Sequence, residues 1–315
     1  MVSAIPMQSR GQGLRRALHR VDSFLTARYR GGNIDTAYLT RPPTKWTVTG
    51  RLNFAGATLT SEGIAANIPF RSEMKAAYKS TLSVGVKYLG VALSLSLNPA
   101  KLMGKYKDYE INIRSYGNRW GFDFVYQDAS NFTGWYQDEG MPRIDLPADV
   151  LSMKAVNLNA YYVFSHRRFS YPAAFTQSYI QRRSAGSFMV AASFQGQQTS
   201  TVGDFESALK VTNIGIGGGY GFNWVPGRHW LLHFSALPTF IVYSWTSLKA
   251  NGNDIPLPYH FPDVIITTNG AIVRHFGNMF VAATAVFNYT DIGNKKRLDI
   301  EHTKWRTRLI YGIRF

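Results

Sequence analysis

The chain contains no cysteine. Disulfides, thiolate-bound zinc and thiol nucleophiles are therefore excluded, and the absence suits a protein that crosses an oxidising periplasm. Acidic residues are scarce: 19 Asp and Glu stand against 35 Lys and Arg, a net charge of +16. No window supplies the roughly 18 uninterrupted apolar residues of a membrane helix. The nearest, Val84 to Leu97, is broken by Lys87, Gly90, Ser94 and Ser96. A full secretory signal is also missing, because Met1 to Ser9 has neither a basic start nor a long apolar run. Met1-Val2-Ser3-Ala4-Ile5-Pro6-Met7 reads as the tail of a signal whose beginning is lacking.

The surplus of cations admits three readings: a nucleic-acid face, a basic pore, or contact with anionic head groups. Arg182-Arg183 and Lys295-Lys296-Arg297 are too short to make a nucleic-acid face, so no nucleic-acid partner is expected. Mean hydropathy is −0.16, a value shared by soluble proteins and by membrane barrels, in which lipid-facing and lumen-facing residues alternate.

Residues 1–43 form an N-terminal segment and residues 44–315 a second region. In the first, Leu14, Leu18, Val21 and Leu25 recur at helical spacing, with Arg15, Arg16, Arg20 and Arg28 mostly off that stripe. A short docking helix or a basic helix on a membrane surface accounts for this. Gly31-Gly32 ends the helix and Pro42-Pro43 closes a linker. From Lys45 the period becomes two: Trp46, Val48, Gly50, Leu52 and Phe54 alternate with polar residues. Comparable runs recur near 82–88, 91–97, 109–113, 120–126, 156–164, 188–194, 214–224, 230–242, 263–276, 279–290 and 305–315. Each has about the length of a tilted membrane-spanning strand.

Tight connections at Leu89-Gly90, Gly117-Asn118, Pro226-Gly227 and Gly277-Asn278 alternate with long ones at 57–76, 98–106, 128–151, 197–209, 246–261 and 291–301. Long loops on one rim and short turns on the other are the pattern of outer-membrane barrels. The exception is 165–184, which is long yet falls on the tight-turn rim. Its Arg168, Tyr171, Phe175, Arg182 and Arg183 mark a candidate lumen plug, with a periplasmic flap or docking segment as the alternative. The chain ends on an amphipathic strand in which Tyr311, Ile313 and Phe315 share a face. That ending resembles the signal read by the barrel assembly machinery, which is the partner expected during biogenesis.

Alternation then assigns the lumen. Lys45, Arg51, Lys79, Lys87, Lys304, Arg306, Arg308 and Arg314 all turn inward, and pairing of the first and last strands would put them on one wall. Glu110, Arg114 and Asp123 continue it with mixed sign. Such a wall attracts small anionic solutes, or is merely solvated, or pairs with a plug, loop acids or lipopolysaccharide phosphates. Opposite it, Gly215, Gly217, Gly219 and Gly221 point inward beside Leu231, Leu237 and Ile241, a lining that calls for a cover or for eased curvature.

Signals of catalysis are weak. His233-Phe234-Ser235 is similar in spacing to the His-x-Ser of outer-membrane phospholipase A, but Ala236-Leu237 follows where that enzyme has Asn-Gly, and the pair faces inward. A hydrogen-bonded lumen histidine is the favoured reading, with no catalytic residue, metal or cofactor expected. Gly217-Gly218-Gly219-Tyr220-Gly221 lacks the Lys-Ser/Thr of a phosphate loop.

Several motifs carry a family resemblance. They are Asp35-Thr36-Ala37-Tyr38, Pro42-Pro43-Thr44-Lys45-Trp46, Tyr116-Gly117-Asn118 with Gly121-Phe122-Asp123, and above all Arg168-Phe169-Ser170-Tyr171-Pro172-Ala173-Ala174-Phe175 with Ser184-Ala185-Gly186-Ser187. With these the chain resembles a family of outer-membrane proteins of Bacteroides-type bacteria, domain of unknown function 4421. The resemblance implies a barrel in the outer membrane, in contact with lipid and lipopolysaccharide, and implies no activity. The expectation is an all-β, closed antiparallel transmembrane β-barrel of about twelve strands with a short N-terminal helix. It would be a porin-like channel or binding protein for small anionic solutes. A non-conducting interaction barrel with an occluded lumen is the alternative, and a lipid-active enzyme the least favoured.

Overall fold

The computed structural model describes residues 19, 20, 22–24, 26, 27, 29, 33–65, 67–89, 91–97, 108–130, 132–148, 150–201, 207–250, 253–256, 263–294 and 298–315. The expected plan is present as one curled antiparallel sheet. Its membrane strands are β2 (Trp46–Ala65), β4 (Lys79–Tyr88), β5 (Val91–Leu97), β6 (Asp108–Tyr116), β7 (Trp120–Ala129), β10 (Leu151–Val163), β12 (Ala185–Thr201), β13 (Ser207–Gly227), β14 (Trp230–Ala250), β16 (Val264–Phe276), β17 (Met279–Asn294) and β18 (Leu298–Arg314). The short elements between them are β1 (Leu39–Thr40), β3 (Ile68–Ala76), β8 (Phe132–Asp138), β9 (Ile144–Leu146), the helix α1 (Tyr171–Phe175), β11 (Ile180–Gln181) and β15 (Asn253–Pro256).

Hydrogen bonding runs β5-β4-β2-β18-β17-β16-β14-β13-β12-β10-β7-β6. First and last strands are neighbours: β2 pairs β18 from Thr47↔Arg314 to Gly63↔Leu298. Trp46 and Phe315 complete the ladder, each accepting from the other's N–H at 2.9 and 3.1 Å. The path ends β5 and β6 share no ladder among the described residues.

Alternation sets the faces. On β14, Phe234 and Phe240 are exposed while His233, Ser235, Leu237 and Thr239 are buried. Exposed apolar side chains on a sheet whose other face is polar require an apolar solvent, so the outer surface meets lipid. Aromatic residues gather at two levels of it. Trp46 packs on Tyr88 near one rim, and Tyr78 bridges Phe54 and Trp305 near the other. Trp46 and Phe54 lie eight residues apart on β2, roughly 26 Å along the strand at about 3.3 Å per residue; a strand tilt of about 35–45° projects this to roughly 20 Å, within the roughly 25 Å apolar band of such barrels.

The long connections differ from expectation. Residues 57–76 are largely strand, because β2 continues to Ala65 and turns into β3; 128–151 holds β8, which pairs with β3, and β9, which pairs with β8. Much of 197–209, 246–261 and 291–301 likewise extends β12, β13, β14, β15, β17 and β18. Once both faces meet water the hydrophobic alternation fades, while Thr, Ser and Gln still support the ladder, so the sequence loses the strand before the backbone does. The connection 98–106 lies outside the described residues, as do Leu14, Leu18, Val21, Leu25, Arg15, Arg16 and Arg28 of the N-terminal helix and Lys295-Lys296-Arg297.

The interior has two packed layers. At the tight-turn rim, Ala173, Ala174 and Tyr179 bury against Leu231, Ala271, Val273, Phe280, Ala282 and Ile310. At the long-loop end, Leu59, Met74, Ala129, Phe132, Leu151 and Met153 close on one another.

Candidate functional site

Residues 165–184 fold into the lumen from the tight-turn rim. Ser170 caps α1 by accepting from the Ala173 N–H at 3.2 Å, and Pro172 sits in the first turn, where no N–H is needed. Gln177, at φ 50°, turns the chain back. It leaves as β11, which pairs with β1 of the N-terminal segment. Phe169, Ser170, Ala173 and Ala174 are fully buried.

A segment placed inside a barrel brings backbone groups that water no longer satisfies. The wall, and Gln181 of the segment itself, supply their partners. Asn223 Nδ2 donates to the Ser170 carbonyl and to Gln181 Oε1, both at 2.9 Å. Gln181 Nε2 donates to the Arg168 and Arg183 carbonyls at 2.6 and 3.0 Å. Arg314 Nη2 donates to the Gln177 carbonyl at 3.2 Å, with its guanidinium over the Phe280 ring. Lys87 Nζ donates to the Thr176 carbonyl and, at 3.1 Å, to Ser178 Oγ.

The glycine row divides by cause. A Cβ on Gly221 would come within 2.9 Å of Phe169 Cζ, so this position makes room for the plug. Cβ atoms on Gly217 and Gly219 would instead strike the backbone of Pro238–Thr239 and Ala236–Leu237, so these two answer to close approach of β14. The apolar lining is covered: Leu231, Leu237 and Ile241 are all buried.

The predicted cations separate into three groups. Lys87 and Arg314 seat the plug. Lys45 lies at the rim, 3.7 Å from Asp22 of the N-terminal helix, and so departs from the lumen wall assigned to it; its carbonyl still accepts from the Leu89 N–H, but at the very end of the ladder its long side chain reaches the rim helix. Arg51, Lys79, Lys304, Arg306 and Arg308 remain on the inward face of neighbouring strands between the plug and the long-loop cluster. Across the β2–β18 ladder Arg308 opposes Asn53, Arg306 Ala55, Lys304 Ala57 and Arg51 Ile310. Lys304 Nζ reaches Gln127 Oε1 of β7 at 3.2 Å. Asp123 accepts from the Tyr116 hydroxyl, and the side chains of Glu110 and Arg114 lie outside the described residues.

Of the predicted plug residues, Tyr171 and Phe175 stack on each other inside the lumen, 4.6 Å between centroids. Arg168, Arg182 and Arg183 stay at the rim instead. Arg168 meets Asp35 at 3.0 Å, and Arg182 and Arg183 are exposed beside Tyr38. A guanidinium at the rim keeps its water, and there Arg168 also finds the Asp35 carboxylate. The N-terminal segment follows this rim: Asp35 N–H donates to the Arg167 carbonyl, and Arg41 lies over the rings of Tyr29 and Tyr179. Burial holds the Tyr179 phenol above its usual range, with Arg41 opposing. Tyr311, Ile313 and Phe315 face lipid.

The His-x-Ser pair faces the lumen and belongs to the plug's seat. His233 Nδ1 lies 2.7 Å from Asn223 Oδ1, and His233 Nε2 3.1 Å from Ser235 Oγ. The Ser170 carbonyl can only accept, which orients the Asn223 amide, places a proton on His233 Nδ1, and leaves Nε2 to accept from Ser235. That order of groups activates a serine in hydrolases. Here Ser235 is fully buried, accepts a bond from Asn269 Nδ2 at 3.3 Å, and lies where Phe169, Tyr171 and Phe175 ring His233. In this arrangement the network fastens the plug. Asn223 and Gln181 were not foreseen, because an isolated amide in a strand or a loop carries no spacing signal.

Among solved structures, the outer-membrane protease OmpT of Escherichia coli is similar in fold, with a TM-score of 0.43, 7% identity, and coverage of 88% of this chain and 98% of that one. The outer-membrane protein OprG of Pseudomonas aeruginosa gives a TM-score of 0.28 at 12% identity, covering 86% and 97%. The toluene transporter TodX of P. putida gives 0.29 at 7%, covering 87% and 91%. No curated protein matches the sequence. Residues 33–315 match the family model for a domain of unknown function, DUF4421, and this outer-membrane β-barrel chain belongs to that family.

Proposed function

We propose that this barrel binds small anionic solutes in a basic lumen chamber and passes them only when its plug yields. The observation that carries the reading is the set Arg51, Lys304, Arg306 and Arg308, which shares one interior between the plug and the long-loop cluster. Inward positions two apart on a strand are about 7 Å from one another. Two unit cations at that distance repel by roughly 2 kcal/mol at an effective dielectric of about 20. A bound anion relieves that repulsion, and the lumen walls screen it less than bulk water would. A second reading, a structural barrel that never conducts, draws on the many bonds that seat the plug.

Planar-bilayer recording tests the two. The wild type is expected to carry no steady current. Lys87→Ala combined with Arg314→Gln, which loosens the plug, is expected to open an anion-selective current. Adding Arg306→Gln and Arg308→Gln should then shift the reversal potential toward neutrality under a salt gradient. A loosened barrel that conducts without anion preference defeats the proposal, and one that never conducts favours the structural reading.

A further inference from the structure

The lipid-facing wall carries a feature that plug and chamber do not explain. Three ladder rows run side by side across it. The first reads Phe222, Phe234, Gly270, Ala285, Thr307 and Phe54; the second, Trp224, Leu232, Ile272, Ala283 and Leu309; the third begins Trp230, Arg274 and Val281. In the first two rows large rings and aliphatic side chains stand on both sides of a floor of Gly270, Ala283, Ala285 and Thr307. The result is an open groove of about 710 Å³ on the outer surface. In the row nearer the tight-turn rim, Arg274 faces outward, its guanidinium 4.9 Å from the Trp230 ring and 4.5 Å from Phe276. Gly270 lies four residues further from that rim, about 13 Å along the strand at about 3.3 Å per residue.

An arginine on the lipid side is costly at the midplane and nearly free at the interface. Arg274 stands three residues before the Gly277-Asn278 turn, at head-group depth, and no carboxylate faces lipid in these three rows. The occupant that fits is anionic at one end and apolar along the rest. We propose that Arg274 and the groove form a site for one anionic phospholipid of the periplasmic leaflet. Its phosphate would lie on the Arg274 guanidinium, and one acyl chain would run over Ala283 and Gly270 between Phe234 and Leu309. The paired N–H groups of arginine suit a phosphate, and the flanking rings hold the guanidinium in place before the lipid arrives. This site is independent of the lumen reading.

Native mass spectrometry of the folded full-length chain tests it, using equal amounts of phosphatidylglycerol and phosphatidylethanolamine. The wild type should retain one phosphatidylglycerol in several-fold preference. Arg274→Gln should abolish the preference, and Arg274→Lys should restore part of it. Ala283→Phe, which fills the floor, should lower retention of both lipids. Heat-modifiable migration in gels verifies that each variant is folded. A wild type without preference overturns the proposal, as does unchanged phosphatidylglycerol retention in either Arg274→Gln or Ala283→Phe.

Discussion

Asn223 concentrates the chemistry of the plug into one side chain. Its amide nitrogen serves the Ser170 carbonyl and Gln181, and its oxygen serves His233. Asn223→Leu keeps the branched shape and removes all three contacts; His233 Nδ1 is left unsatisfied at a cost of about 1–3 kcal/mol, while the Ser170 carbonyl and Gln181 Oε1 keep only the Ala173 and Ser170 N–H groups. The plug should then open more often than the barrel unfolds. Because the chain has no cysteine, a single Ala174→Cys reports on this directly. That thiol, at a fully buried position, should be protected from a small maleimide in the otherwise native protein and react in the Asn223→Leu background. Equal protection in both would show that Asn223 is dispensable to the seat. Asn213→Leu is the control, since Asn213 is buried and accepts from Ser244, away from the plug.

At the scale of the element, β18 does two jobs on two faces. Inward, Arg314 holds the plug and Arg306 and Arg308 line the chamber. Outward, Tyr311, Ile313 and Phe315 meet lipid, and the Phe315 backbone closes the ladder onto Trp46. Deleting Phe315 should reduce insertion into the outer membrane without changing synthesis. Phe315→Ala keeps the main-chain pair and removes only the ring, so the same loss there would assign the effect to the side chain. Folded, heat-modifiable protein at wild-type levels from both variants would remove the C-terminus as an assembly signal. The sequence makes this strand legible because lipid imposes strict alternation. The same logic fails beyond the membrane, which is why β3, β8 and β9 read as loops.

At the scale of the whole molecule, the interior is packed at two levels by different means. The plug is held by polar contacts from the wall as well as by apolar packing, whereas the long-loop cluster around Phe132 and Met153 is apolar. The two should therefore act as resistances in series. Removing 166–183 should raise conductance only modestly, and adding Phe132→Ala should raise it several-fold further. If the plug deletion alone gives the full conductance, the long-loop cluster is not a barrier.

What the sequence determined by itself was everything governed by a local period. The β class, the set of membrane strands, and the inward side of Arg51, Lys87, Arg306, Arg308 and Arg314 follow from alternation, since each strand residue has only two faces to choose from. Residues 165–184 stood out because a long segment interrupted a regular order of turns. Tertiary structure decided which of those inward cations serve the chamber and which serve the plug. Lys87 and Arg314 meet Thr176 and Gln177 across separations of 89 and 137 residues, and no spacing rule encodes a contact made between a wall and a segment folded against it. The same holds for Asn223, His233 and Gln181, brought together by strand register and by the path of the plug. The physical reason is that the membrane repeats one constraint along every strand, whereas the plug satisfies its backbone groups one at a time with whichever side chains the curled wall presents.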